Sequence, residues 1–270
     1  MTAETVSWQN VVLARDIEYG NVGGRSLTLN LLRPRTRRAA TLPVVVYVHG
    51  GWWRAGSALM RPEILIPLVE DDYVVASIEY RLTPEAKFPA QIEDCKCAVR
   101  YLRANAARLG IDADNIGVWG SSAGGHLAAL MGAAGEDAGF EGDGGWPGLS
   151  SRVQAVVDWY GPSDLLQIND SFSGAQEAMT LLLGKSPTED PDAAAAVNPI
   201  TYISTDCPPF LIMHGDQDAV VPWHQSQLLH DALQKAGVES ELVIEPGKGH
   251  GQLGDDAVAK VHAFFDRHLR

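Results

Sequence analysis

Basic side chains are scarce in this chain. Its 270 residues carry 21 Lys and Arg against 34 Asp and Glu, a formal charge of −13. That leaves nothing for the positive stripe a phosphate backbone requires, so nucleic acid is not an expected partner. Cysteine is scarce too: Cys95, Cys97 and Cys207 are odd in number and form no C-x-x-C pair, which argues against a disulfide framework. On one helix Cys95 and Cys97 would face apart, and reduced thiols in a reducing compartment are expected. No segment approaches the roughly twenty apolar residues that span a bilayer, and the opening MTAETVSWQNVV lacks the basic start and apolar stretch of an export signal. A cytoplasmic protein without a membrane partner is expected. The eight histidines show no H-E-x-x-H or comparable spacing, so neither a metal nor a cofactor is expected, and no internal repeat is visible.

What is present is apolar content enough for a large core, 46% of residues, on a length that suits one α/β domain over 1–270. Two β-like runs, NVVLARDIEYG and SLTLNLLRP, flank Gly23-Gly24 and predict an antiparallel hairpin. Then LPVVVYVHGG, YVVASIEY, IGVWGS, VQAVVDWYG and PFLIMHGD recur as short apolar runs separated by loop or helix-like stretches. Such runs are strands buried on both faces, and their alternation with helices predicts a mostly parallel, doubly wound sheet. A helix over about Pro89 to Leu109 carries Ile92, Cys95, Val99 and Leu102 on one face with charges opposite; VPWHQSQLLHDALQKAG, closed by Gly237, and DAVAKVHAFFDRHL predict two more. GEDAGFEGDGGWPGLS, rich in Gly and Asp, is expected to be a mobile loop, and Ser163 to Asn198 a small cap insertion, both at the carboxyl edge of the sheet.

In GVWGSSAGGHLAAL two serines stand together, and only one frame fits the G-x-S-x-G turn between a strand and a helix: Gly120-Ser121-Ser122-Ala123-Gly124. Centring on Ser121 would put Trp119 and Ala123 where glycine is needed. Ser122 is thus the candidate nucleophile and Ser121 a small neighbour at the site. A serine needs a base, and the base an orienting acid. FLIMHGDQDAVVP ends a strand with Asp216 and Asp218, of which the strand tip and the following Val-Val-Pro favour Asp218; Asp216 is expected to stabilise the loop and His214 to be a structural strand-end residue. LVIEPGKGHG presents His250 between two glycines. HGGWWRAG after the VVVYV strand offers the amides of Gly51 and Trp52, joined by that of Ala123, as donors to an oxyanion, with Gly50 letting the backbone approach.

With HGGWW, EYRLTPEAKFPAQIED, GSSAGGHLAAL and HGDQDAVVP in this order, the chain from about Leu42 to His250 resembles α/β-hydrolase carboxylesterases of the hormone-sensitive-lipase type, nearest the branch with bacterial acetyl and feruloyl esterases. The resemblance implies an α/β-hydrolase fold, a Ser122–His250–Asp218 triad, an oxyanion hole from Gly51, Trp52 and Ala123, support from Tyr80-Arg81-Leu82 and Asp94, and a small-molecule ester as partner. Trp52 stands where many relatives have a third glycine, and H-G-G-x-W is also the pattern of kynurenine formamidases, so an arylformamidase on the same triad is the alternative. A non-catalytic receptor on the same scaffold is a third reading. Trp52, Trp53, Trp146 and Trp159 are candidates to line the pocket, with core packing the alternative for each, and a homodimer is one permitted assembly.

Overall fold

Val44, Val46 and Val48 pack into one apolar cluster while Val45 and Tyr47 pack into another. This strand therefore has core on both sides, the reason its sequence is apolar without alternation. Burial of such side chains stabilises by about 1.5–3 kcal/mol each before the entropy of ordering them is set against it. The computed structural model describes residues 5–8, 10–168 and 174–270. Among these, one nine-stranded sheet runs in the order β1-β2-β3-β5-β4-β6-β7-β8-β9. The strands are β1 Thr5–Trp8, β2 Val11–Val22, β3 Arg25–Pro34, β4 Leu42–Val48, β5 Val74–Ile78, β6 Ile111–Ser121, β7 Ala155–Trp159, β8 Phe210–Gly215 and β9 Ser240–Glu245.

The expected hairpin is β2–β3, joined at Gly23-Gly24, and β1 extends it by a strand the sequence pattern did not reveal. β3 joins β5 antiparallel, and from β5 to β9 every pairing is parallel. The helices are α1 Pro62–Glu70, α2 Ala90–Ala104, α3 Ala106–Leu109, α4 Ala123–Ala133, α5 Ala175–Leu183, α6 Pro191–Val197, α7 His224–Lys235 and α8 Asp255–Leu269. Buried residues of α2, α4, α5 and α7 belong to the cluster with Val44, those of α1 and α8 to the cluster with Val45. Helices on both faces of a mostly parallel sheet make this a doubly wound α/β fold, the arrangement that the resemblance to α/β-hydrolases implies.

Three expectations need correction. The helix expected over 89–109 breaks at Asn105, whose side chain donates back to Tyr101 O, so α2 and α3 are separate. Its charged face is buried rather than solvated: Lys96 and Arg100 lie against Glu141, at 2.9 and 2.5 Å. That contact also corrects the second expectation. GEDAGFEGDGGWPGLS packs, because Glu141 pairs with two buried cations and Phe140 enters the core. Third, this segment follows α4, not a strand, so it lies at the amino edge of the sheet; only 163–198, which follows β7, caps the carboxyl edge. Residues 169–173 of that cap lie outside the described residues.

Candidate active site

Three glycine-bearing turns after β4, β6 and β9 and one acidic turn after β8 meet at the carboxyl edge. At the end of β6 the chain reverses into α4 within a few residues, and the glycines of the motif are dictated by contact. A Cβ on Gly120 would lie 2.0 Å from Gly124 O, and one on Gly124 2.0 Å from Val48 O. Ser122 between them sits at φ 57°, ψ −123°, a conformation that costs about 1–3 kcal/mol for a residue with a Cβ. Its amide donates to Trp159 O at 2.8 Å and its carbonyl accepts from His126 N at 3.0 Å. The strain is therefore held from β7 and from α4.

His250, in the turn after β9, places Nε2 3.0 Å from Ser122 Oγ and Nδ1 2.6 Å from Asp218 Oδ2. The Asp218 side chain is buried, and its Oδ1 accepts from Val220 N at 2.8 Å and Val221 N at 2.9 Å. Burial by itself pushes this carboxyl up, but hydrogen bonds from His214 and His250 outweigh it and hold the group far below the usual carboxylate range. An ionised Asp218 can only accept, which puts a proton on His250 Nδ1 and leaves Nε2 to accept from the Ser122 hydroxyl. Asp216, the competing acid, accepts from Gly247 N instead and braces the loop.

The turn after β4 lies against the elbow: a Cβ on Gly50 would stand 3.1 Å from Ser122 Cβ. Gly51 has φ 120° and room for no side chain, since its Cβ would meet Ala55 O at 2.2 Å. Trp52 and Trp53 follow with φ 54° and 56°. The turn is fixed by Tyr80, whose hydroxyl donates to His49 O at 3.0 Å and whose ring stacks on His49. Arg81 in turn holds buried Asp94 through contacts of 2.8–3.0 Å. Arg54 reaches Glu177 of α5 at 2.9 Å, tying the turn to the cap.

Several expected pocket residues are elsewhere. Trp53 is fully buried with its indole N–H donating to His126 Nδ1, so the tryptophan of H-G-G-x-W is core. Trp159 is fully buried edge-on to Trp119 in the cluster under α8. Trp146 sits on the amino-edge segment, donating to Tyr19 O and packed on Tyr101. All three indoles are thus spent on packing. Ser121 spends its hydroxyl on Tyr47, at 3.1 Å. Conversely, Tyr160 was not singled out from the sequence: at φ 46° its ring packs 4.7 Å from that of His250, and Arg61 reaches its hydroxyl. An aromatic immediately after a buried strand was the available signal.

Beside the elbow, Asp158 is completely buried, with Oδ1 accepting from Gly161 N and Oδ2 unpartnered among the described residues. Burial, only partly offset by that bond, pushes it up to about 7. An unfolded Asp ionises near 3.9, so between about pH 4 and 7 the unfolded chain has lost a proton that Asp158 keeps in the folded one, and the contribution of Asp158 to stability falls as pH rises. Thermal unfolding across that range should show a smaller decline in Asp158→Asn than in the wild type; equal slopes would show that the carboxyl is not held protonated.

Residues 29–233 match the sequence profile of the BD-FAE family. Esterase LipQ of Mycobacterium tuberculosis is 32% identical over 240 residues, which are 87% of this chain and 56% of that protein. The chain spans about half the length of the curated relatives it matches first. Two solved structures superpose closely. A bifunctional GH43-CE protein of Bacteroides eggerthii gives a TM-score of 0.88 at 35% identity, covering 96% of this chain and 35% of that one. A truncated carbohydrate esterase from gut microbiota gives 0.87 at 31% identity, covering 98% of this chain and 96% of that one. Among the described residues no helix is long and apolar enough to cross a membrane.

Proposed function

The chain belongs to the BD-FAE family, and from that premise we propose that it is a serine carboxylesterase acting on short-chain or aryl carboxylic esters, acetyl and feruloyl esters foremost. The observation that carries this reading is the unbroken line Ser122 Oγ, His250 Nε2, His250 Nδ1, Asp218 Oδ2, with contacts of 3.0 and 2.6 Å, mounted on a strained turn. The likeness to a carbohydrate esterase favours substrates in which the ester is carried by a sugar. Residues 163–198 act as the lid of a single catalytic domain, a role supported by the Arg54–Glu177 tie between cap and β4 turn.

In this reading Ser122 Oγ attacks the ester carbonyl as its proton passes to His250 Nε2. The carbonyl oxygen becomes an alkoxide, met by the amides of Gly51, Trp52 and Ala123; the last belongs to the first turn of α4, where N–H groups have no partner within the helix. Collapse breaks the bond to the alkoxy group, which leaves with the proton from His250. Water then repeats the sequence on the acyl-enzyme, freeing the acid and restoring the serine. Asp218 keeps the imidazole in its tautomer and stabilises the imidazolium.

Incubation with a fluorophosphonate probe should label Ser122, and a panel of p-nitrophenyl esters from acetyl to octanoyl, methyl ferulate and N-formylkynurenine ranks substrates. The acetyl and feruloyl esters are expected to give the highest kcat/KM. A formamide preferred by about tenfold, near 1.4 kcal/mol of transition-state binding, would replace the esterase reading with an amidase one. Absence of labelling would leave only a receptor.

A further inference from the structure

Asp218 is faced by two histidines, and the mechanism uses one. The second, His214, is the penultimate residue of β8 and follows Phe210, Leu211, Ile212 and Met213, every one of them buried, and is itself fully buried. An imidazole in such a place is costly unless both nitrogens are used, and both are. Nε2 lies 2.8 Å from Val221 O and 3.2 Å from Asp218 Oδ2. A carbonyl and an ionised carboxylate can only accept, so Nε2 carries a proton shared between them. Nδ1 meets Ser226 Oγ of α7 at 2.7 Å. The ring is thereby clamped between β8, the turn of 218–221 and the first turn of α7, with its N–H aimed at the same oxygen that His250 addresses. The other titratable neighbour is Tyr160, whose ring lies 6.2 Å from that of His214 and 4.7 Å from that of His250.

The geometry points to His214 as a positioning residue: it fixes the Asp218 carboxylate, and through it the plane of the His250 ring, for proton transfer at Ser122. With Oδ1 already pinned by the amides of Val220 and Val221, the His214 N–H supplies the remaining restraint on Oδ2. It also withdraws part of the negative charge that His250 would otherwise feel alone. Its removal therefore has two consequences. The carboxylate turns more freely, and its undivided charge stabilises the protonated imidazole more strongly.

This inference rests on the proposed esterase activity for its kinetic arm and on nothing but the Asp218–His250 contact for its spectroscopic one. Two variants decide it: His214→Leu, which fills space without a donor, and His214→Gln, whose amide can return one to the Nε2 position. His214→Leu is expected to lower kcat roughly 10- to 100-fold, the worth of one hydrogen bond to a charged group, with KM changed less than about twofold. The acid limb of its kcat/KM profile should move upward by roughly half a pH unit. His214→Gln should recover most of kcat and return the limb toward the wild-type position. In the proton NMR spectrum the low-field resonance of His250 Nδ1–H should be present in the wild type and His214→Gln, and shifted or broadened in folded His214→Leu. A folded His214→Leu with kcat within twofold of the wild type, an unmoved acid limb and an unchanged resonance would overturn the inference. Equal losses in both variants that track the folded fraction would do the same, leaving a purely structural strand end. If the wild type hydrolyses no ester, the esterase reading fails first, and the resonance alone then decides the role of His214.

Discussion

Ser122→Ala is expected to lower kcat by about 10⁶, the scale found when one member of a cooperating triad is removed, with the fold intact. The loss is large because in the proposed mechanism the hydroxyl alone forms the acyl-enzyme, and His250 and Asp218 would have nothing to activate once it is gone. Ser121→Ala supplies the contrast. Its hydroxyl meets buried Tyr47 rather than the space over the elbow, so the change should cost less than about tenfold, corresponding to one neutral hydrogen bond. Burst and steady-state kinetics on a p-nitrophenyl ester read both variants. A severe loss in Ser121→Ala with survival of Ser122→Ala would mean that the wrong serine is assigned.

Asp218→Asn should rank second, with kcat lowered by about 10⁴. An amide at this position offers His250 Nδ1 a donor where it now meets an acceptor, so the imidazole turns its protonated nitrogen toward Ser122 and ceases to be a base. The same change has a signature in stability. The folded-state pKa of Asp218 lies below its unfolded value, so its ionised form stabilises the fold above about pH 4 and that contribution disappears as pH falls through the lower, folded-state value. The Tm difference between wild type and variant should accordingly be largest near neutrality and narrow in acid. A gap constant from pH 7 to 3 would contradict the assignment, as would a variant retaining more than about a tenth of kcat, a loss of only about 1.4 kcal/mol.

Strands β4, β5, β7 and β8 were legible because each is a short, mainly apolar run buried almost throughout, a pattern that burial on both sides demands. The elbow was legible because only one frame supplies glycine on both sides of a serine, and the contacts at Gly120 and Gly124 show why no other residue fits. What escaped was pairing across sequence distance. Glu141 is 45 positions from Lys96, and nothing in the composition of either segment says that they meet; hence a packed loop was expected to be mobile. The tryptophans escaped for a related reason. An indole near a motif can face a pocket or the core, and it is the partner, His126 for Trp53 and Trp119 for Trp159, that decides.

Trp52, Trp53, Ser122 and Tyr160 each hold a side chain at positive φ, and all four stand on the turns around the reacting hydroxyl. Glycine would occupy any of these positions at less conformational cost. Under the proposed function that cost falls on the turns where the reaction would take place, and the packing around them has to hold it. At Trp53 the buried ring outweighs that saving, since its loss would cost about 3–5 kcal/mol; at Ser122 nothing of that size is lost, so Ser122→Gly should make the chain harder to melt while removing its hydroxyl.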